Sequence, residues 1–248
     1  MVNVGIIIQA RTDSSRLPNK VLELIDSESV LWHVINRCKK TPYLVIVSTT
    51  NREIDEPIIE ICKKHSVDYF RGSSEDVLDR FYQTAKNFSI DVIIRVTADC
   101  PLVDPQEIEK VAKSILVENF DYSGIDENTY PDGFDCEAFT FNVLEKTWKD
   151  SKLQSEREHV TPYMKNPKNM FKRKFIPFKK NYSNFRFSID YIEDLMLIQN
   201  LMNKLNENFS IDDVLEILNN NPELVKINNM HKRNEGYAKS LKSDKLID

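Results

Sequence analysis

Glycine is scarce in this chain, 5 of 248 residues, and neither G-x-G-x-x-G nor the Walker pattern occurs. A loop that holds phosphate would have to be built from other residues. Cysteine is sparse as well: Cys38, Cys62, Cys100 and Cys136 lie far apart, with no C-x-x-C pair and no histidine at ligand spacing. That argues against a structural zinc site and a disulfide framework. No apolar run approaches the roughly 18 residues of a membrane span, and no charged segment leads into a cleavable apolar one near the start. The expectation is a cytoplasmic protein that does not engage a membrane. A net charge of -5 and a pI near 5.5 leave no general basic footprint for nucleic acid. Local clusters of Arg and Lys are therefore read as sites for particular anions.

What is present is ordinary for a globular protein, with 41% hydrophobic and 29% charged residues. The run at residues 2 to 9, rich in Val and Ile, has the length and branching of a buried strand. Val30, Val34, Ile35 and Cys38 share one helical stripe. Strands at 43–49, 67–71 and 91–97 alternate with helical patterns at 53–64 and 75–87, which predicts a parallel α/β sheet. Asp104, Pro105 and Glu107 mark a helix start. Ser73 with Asp76, Ser155 with Glu158, Asp190 with Glu193 and Ser210 with Asp213 have capping-box spacing, placing helices near 156–165, 191–205 and 211–219. In YPDGFDCEAF a turn at Asp132 and Gly133 precedes an alternation that puts Asp135 and Glu137 on one strand face. Residues of about 120–185 are expected as an inserted α+β portion over the sheet edge, serving an acceptor or an oligomer contact. The expected division is a domain over 1–225 and a Lys- and Asn-rich tail over 226–248, packed on the surface or on a partner.

The first strand runs into ARTDSSRLPNK, where Arg11, Arg16 and Lys20 stand among Ser14 and Ser15. Ligands of open parallel sheets bind beyond the carboxyl ends of the strands. Backbone amides of a Ser-rich turn together with these cations would suit a phosphate chain; an exposed basic loop is the alternative. Asp99 follows a second apolar strand in RVTADCPLVDP. A carboxylate beside a phosphate loop calls for a cation between them, and Mg2+ is held by one or two carboxylates plus phosphate oxygens. A turn cap is the alternative for Asp99, and Arg95, on the same strand face, could simply neutralise it. Asp190 in FRFSIDYIEDL reads first as a helix cap. Asp76 reads as a cap with Arg80 as its i,i+4 partner, and His33, His65 and His231 as surface or tail residues.

The blocks IIIQARTDSSRLPNKVL, FRGSSEDVLDRF, RVTADCPLVDP, YPDGFDCEAF, SEREHVTPY and FSIDYIEDL, in this order and spacing, resemble the SpsF-type cytidylyltransferase-like family. That family is associated with spore-coat and surface polysaccharide synthesis and is related to CMP-Kdo and CMP-sialic acid synthetases. The resemblance spans about residues 2–225 and implies a GT-A-like Rossmann nucleotidyltransferase fold, α/β with a mainly parallel sheet. It implies that Arg11, Ser14, Ser15, Arg16 and Lys20 hold the nucleotide phosphates; Gln9, Ala10 and Asp99 are expected beside them at the nucleotide, and Arg71, before Gly72, either contacts base or ribose or belongs to a surface turn. Asp99 and Asp190 would hold Mg2+, and Arg11, Lys20, Asp99 and Asp190 would carry catalysis. Asp132, Asp135 and Glu137 suit sugar hydroxyls, with simply solvated strand acids as the alternative, and Arg157 and His159 suit an acceptor phosphate or carboxylate. This chain has Asp13 and Asn19 where the family usually has Gly, and Ala98 where Gly is common; Asp and Asn tolerate left-handed backbone.

The implied reaction is attack by an oxygen of a sugar, acidic sugar or sugar phosphate on the α-phosphate of an NTP, CTP by family, expelling pyrophosphate. A GT-A glycosyltransferase consuming a nucleotide sugar and a catalytically silent nucleotide-binding protein are the alternatives. Relatives of this kind are often homodimers, so a homodimer without nucleic-acid partners is expected.

Overall fold

The structure is a computed structural model that describes residues 2–247. It opens with β1 (Val4–Gln9), the hairpin β2 (Leu24–Ile25) and β3 (Glu28–Ser29), α1 (Val30–Cys38), β4 (Leu44–Thr50), α2 (Glu56–Lys64), β5 (Asp68–Gly72), α3 (Val77–Asn87) and β6 (Val92–Thr97). Then come α4 (Pro105–Leu116), β7 (Tyr122–Ile125), β8 (Glu137–Thr140), α5 (Phe141–Asp150), α6 (Gln154–His159), α7 (Pro162–Lys165) and β9 (Arg173–Ile176). The chain finishes with α8 (Ile192–Met202), α9 (Ile211–Asn220) and α10 (Glu235–Lys242).

Seven strands form one sheet in the order β5-β4-β1-β6-β8-β7-β9. β1 pairs in parallel with β4 and β6, and β4 with β5. β8 runs antiparallel to both of its neighbours, β6 and β7, and β9 returns to parallel beside β7. The mainly parallel α/β prediction holds. The portion over 120–185 does not lie across the sheet edge as expected: its three strands extend the same sheet, because β8 continues the hydrogen-bond ladder of β6.

Helices cover both faces, so the central strands are mostly apolar, with polar residues such as Gln9, Arg95 and Thr97 toward their carboxyl ends. Side chains alternate across a strand: Ile6 and Ile8 pack with α1, α2, α4 and α8 in one cluster, and Ile7 joins α3 and α5 in another. Among the described residues no helix is long and apolar enough to cross a membrane.

Two predicted helix starts are displaced. Glu156, not Glu158, reaches back, its carboxylate accepting from the amides of Lys152 and Leu153, so α6 begins at Gln154. That predicted helix also breaks at Val160, whose φ is 69°. At α8 Asp194 accepts from the amides of Asp190 and Tyr191, so Glu193 has no capping role and Asp190 is released from one. Asp104, Asp76 and Ser210 cap as predicted. Residues 228–247 pack on the chain's own surface: Asn228 donates to Asp194 and Arg186, Ser155 to Asp244, and Leu153 bridges to Leu246.

Candidate active site

The loop after β1 is organised by a residue that sequence reasoning passed over. Thr12 donates its amide and hydroxyl to Asp55, both at 2.7 Å, while its carbonyl accepts from the amides of Ser14 and Asn19. Burial by itself would raise the Asp55 pKa; hydrogen bonds from Thr50 and Thr12 outweigh it and hold the carboxyl below its usual range. No local signal joins residues 43 positions apart. Asn19 takes the left-handed conformation, φ 59°, which a short polar side chain tolerates. Asp13 pairs with Arg52 at 2.6 Å, an exposed contact that offsets its charge next to the loop.

The turn that follows Asn19 delivers Lys20 to the carboxyl ends of two other segments. Its ammonium lies 2.5 Å from Asp99 and 2.8 Å from Asp190. Asp99 is carried by the turn beyond β6. Asp190 is brought there by the segment before α8, which is tied to that turn by the Ile189 amide on the Asp99 carbonyl. The same segment pairs with Asp132 through the Asp132 amide on Phe185 and the Phe187 amide on Asp132. Gly133 permits this approach: its φ is 97°, and a Cβ there would stand 2.4 Å from the Phe187 carbonyl carbon.

Asp190 collects more cations. Arg16 reaches it at 2.5 Å and Arg186 at 2.6 Å, and Arg186 also pairs with Asp132 and Asp194. Burial favours the neutral acid, but Lys20 and Arg16 prevail and keep the Asp190 pKa well below the carboxylate range. Asp99 is likewise lowered against its burial, mainly by Lys20. Arg186 was missed as a site residue; the one hint in the sequence was its place within FRFSIDYIEDL.

These groups sit at one end of a cleft of about 970 Å3, whose lining includes Gln9, Asp132, Asp135, Glu137, His159 and Tyr237. Glu137 is buried and saturated. It accepts from Arg95 at 2.6 Å, Tyr122 at 2.6 Å and Thr161 at 2.9 Å, and pairs with Lys165 at 2.7 Å. Burial opposes ionisation there, yet Lys165 and Arg95 depress its pKa strongly. Arg95 thus serves Glu137 and Gln9, not Asp99 as the strand register had suggested. Asp135 accepts from the Gly133 amide and from Arg233.

The remaining predicted residues are spread more widely. Arg11 is half exposed, with Glu158 at 3.9 Å, and Ser14 and Ser15 stand on the loop surface. Ala10 is buried and donates its amide to Ser48. Arg71 spends its guanidinium on Glu56 and on the carbonyls of Thr50 and Arg52, away from the cleft. Arg157 binds Asp76 and the Trp148 carbonyl. The expected Asp76–Arg80 partnership is therefore replaced: Arg80 is buried and donates to the Ser73 carbonyl, while α6 supplies the partner of Asp76. His159 does face the cleft, bonded to Ser240 and edge-on to Tyr237 at 4.9 Å. Burial lowers its pKa.

The C-terminal segment contributes a wall that the sequence did not announce. Asn234, Glu235, Gly236 and Tyr237 line the cleft. Arg233 anchors them through Asp135 and the carbonyls of Glu127 and Tyr130. Tyr191, under the Arg16 guanidinium at 5.5 Å, donates to Glu235 and stacks on His231 at 3.8 Å.

A basic loop after the first strand of an open, mainly parallel sheet, facing acids beyond two other segments, is the plan of a Rossmann-like nucleotidyltransferase. The cytidylyltransferase family profile matches residues 5–235, and the chain belongs to that family. It is 40% identical over 227 residues to protein MJ1063 of Methanocaldococcus jannaschii, covering 90% of this chain and 93% of that one. It is 31% identical over 234 residues to the spore coat polysaccharide biosynthesis protein SpsF of Bacillus subtilis, covering 90% and 97%. The solved structure of a cytidylyltransferase from Leptospira borgpetersenii superposes with a TM-score of 0.86 at 34% identity, over 91% of this chain and 97% of that one. A CMP-Kdo synthetase solved with CTP shares the fold, with a TM-score of 0.63 at 16% identity over 82% of this chain and 99% of that one.

Proposed function

We propose that this protein transfers the cytidylyl group of CTP to an oxygen of a sugar, acidic sugar or sugar phosphate for surface-polysaccharide synthesis, with Mg2+ as cofactor and pyrophosphate as by-product. The observation that carries this reading is the convergence of Lys20 and Arg16 on Asp99 and Asp190 at the head of a polar cleft. The similarity to SpsF, a spore coat polysaccharide biosynthesis protein, and to a CMP-Kdo synthetase complexed with CTP supports the same donor and pathway type.

The residues present fit a divalent cation. Oxygens of Asp99 and Asp190 both lie within 2.8 Å of a single positive group, the Lys20 ammonium. Two carboxylates meet there rather than three, and among the described residues no group of three or more His, Cys, Asp or Glu is arranged for a metal. That donor set suits Mg2+, which takes one or two carboxylates and completes its shell with phosphate oxygens and water. When bound, Mg2+ supplies charge stabilisation at the α-phosphate.

In this mechanism Arg11, Arg16 and Lys20 donate to phosphate oxygens, with the Asp13 and Ser15 amides supporting them. The acceptor oxygen, releasing its proton to solvent where it is a hydroxyl, forms its bond to the α-phosphorus as the bond to the α–β bridging oxygen breaks, and pyrophosphate departs with that electron pair. Catalysis is mainly positioning and charge stabilisation. The acceptor occupies the cleft between the Asp132–Asp135 turn, His159 and the C-terminal wall.

Thermal denaturation with CTP, GTP, UTP and ATP, each with and without Mg2+, tests the donor. Ligand at about 100 times Kd adds roughly 2.7 kcal/mol, several degrees in Tm for a chain of this size. A Mg2+-dependent rise with CTP that Asp99→Asn removes, followed by pyrophosphate release with an acidic-sugar panel, is the expected result. A rise with a nucleotide sugar and none with CTP would favour a glycosyltransferase instead.

A further inference from the structure

The same charge cluster bears on the order in which metal and nucleotide arrive. Of the four carboxylate oxygens of Asp99 and Asp190, three are held by cations. Asp99 Oδ2 receives Lys20; Asp190 Oδ1 receives Lys20 and Arg16; Asp190 Oδ2 receives Arg186. The fourth, Asp99 Oδ1, is held by no cation among the described residues and accepts from the Cys100 thiol at 3.6 Å. Two formal negative charges face Lys20 and Arg16, two formal positive ones, before the share of Arg186 is counted. A divalent cation entering this cluster by itself meets like charge and must break short charge-assisted bonds.

We propose that Lys20 is an internal stand-in for the divalent cation, filling the point between Asp99 and Asp190 until the nucleotide phosphates draw it away, so that metal enters with the nucleotide and not ahead of it. The inference rests on the metal-site reading above and adds an order of binding to it. The geometry permits the exchange without refolding. The backbone next to Lys20 is fixed by left-handed Asn19 and the short turn Lys20–Leu22, whereas a lysine ammonium rides on a flexible four-carbon stem. A polyphosphate at the β1 loop offers Lys20 and Arg16 a denser negative charge than the two aspartates do. Lys20 then moves from counterion of the carboxylates to donor on phosphate, and the carboxylates become available at the moment their ligand arrives. Because linkage is reciprocal, metal and nucleotide each raise the affinity for the other, and Lys20 carries the coupling.

The test uses Mn2+, which shares the oxygen preference of Mg2+ and whose free concentration is read by electron paramagnetic resonance. The full chain is titrated without nucleotide as wild type, Lys20→Met, Lys20→Arg and Lys20→Met/Asp99→Asn. Lys20→Met is expected to bind Mn2+ at least tenfold more tightly than wild type. Lys20→Arg, which keeps the positive charge, should remain weak like wild type, and the double variant should lose the gain. Wild type binding Mn2+ as tightly as Lys20→Met would overturn the proposal, as would a tight site indifferent to Asp99→Asn. Should Lys20→Met not fold by circular dichroism, Lys20→Gln is titrated in its place with the same expectation. None of these arms contains CTP, so they stand if the donor is a different nucleotide; failure of the CTP thermal shift with the Mn2+ results intact would reject the donor and keep the displacement.

Discussion

At the β1 end of the cleft, Arg16, Lys20, Asp99 and Asp190 meet with their charged heads partly open, each side chain between 12% and 28% exposed. At the β8 end, Glu137 lies beneath Arg95, Lys165, Tyr122 and Thr161, with 6% of its surface exposed. Both ends are charge clusters, and they differ in whether a ligand can rearrange them. The carboxylates of the first are the more open, Asp99 at 23% and Asp190 at 15% of the side chain against 7% for Glu137; Glu137 is saturated by Arg95, Tyr122, Thr161 and Lys165. The first is suited to exchange partners during a reaction, and the second to hold the cleft's shape.

Four substitutions sharpen that contrast. The largest effect is expected at the β8 end. Glu137→Gln leaves Arg95, 15% exposed, and the more open Lys165, 38% exposed, without their carboxylate; discounted for that exposure, the cost is about 3 kcal/mol, a fall in Tm of roughly 6–12 °C. The pH dependence has a definite sign. Because the folded Glu137 pKa is depressed, its contribution is complete above the ordinary glutamate range, declines as pH falls below it, and vanishes below the folded value. Urea denaturation of wild type and Glu137→Gln should therefore converge in acid; a constant gap would refute the ionic role.

At the β1 end, Lys20→Ala should reduce the rate of CTP-dependent pyrophosphate release on the order of 100- to 1000-fold. A change confined to KM would remove Lys20 from transition-state stabilisation.

Between the two ends, Gly133→Ala forces an L side chain into a left-handed residue against the Phe187 backbone. The expected cost is about 1–3 kcal/mol, seen as a Tm loss together with weaker binding of metal and CTP, because the Asp132–Phe187 pairing positions Asp190. A Tm loss with unchanged binding would mean that Asp190 is placed independently of that turn. The smallest effect is expected at Asn19→Gly, within about 0.5 kcal/mol, since relief of left-handed strain is offset by the greater freedom of glycine in the unfolded chain. A drop of several degrees would assign the Asn19 side chain a role of its own.

Much of the scaffold was readable because it is local. The apolar runs of β1 and β6, the helical stripe of α1 and the caps at Asp104 and Ser210 all depend on neighbours within a few residues, and each lies where pattern placed it. Asp190 shows where local reading misleads. Its spacing to Glu193 imitates a capping box, but Asp194 takes the capping role, and Arg186, Arg16 and Lys20 draw Asp190 into the cleft. Glu137 was legible as a strand acid but not as the hub of a buried cluster, since Arg95 is 42 residues away and Lys165 lies on a helix 28 residues later. The C-terminal segment was read as a surface tail by its composition; its anchorage through Arg233 and Asn228 depends on partners about 30–110 residues distant.

Periodicity and turn chemistry were enough to specify an open α/β sheet with a basic loop after its first strand, because hydrophobic burial and capping act over one or two turns of chain. Family motifs added Asp190 as a metal ligand to the basic loop and to Asp99, which the residues themselves had suggested. Which carboxylate meets which cation was left to the tertiary structure. Charge pairing is set by distance in space, and the approach of Asp190 to Asp99, of Glu137 to Lys165 and of Tyr237 to His159 exists only once the sheet has brought remote segments to one edge.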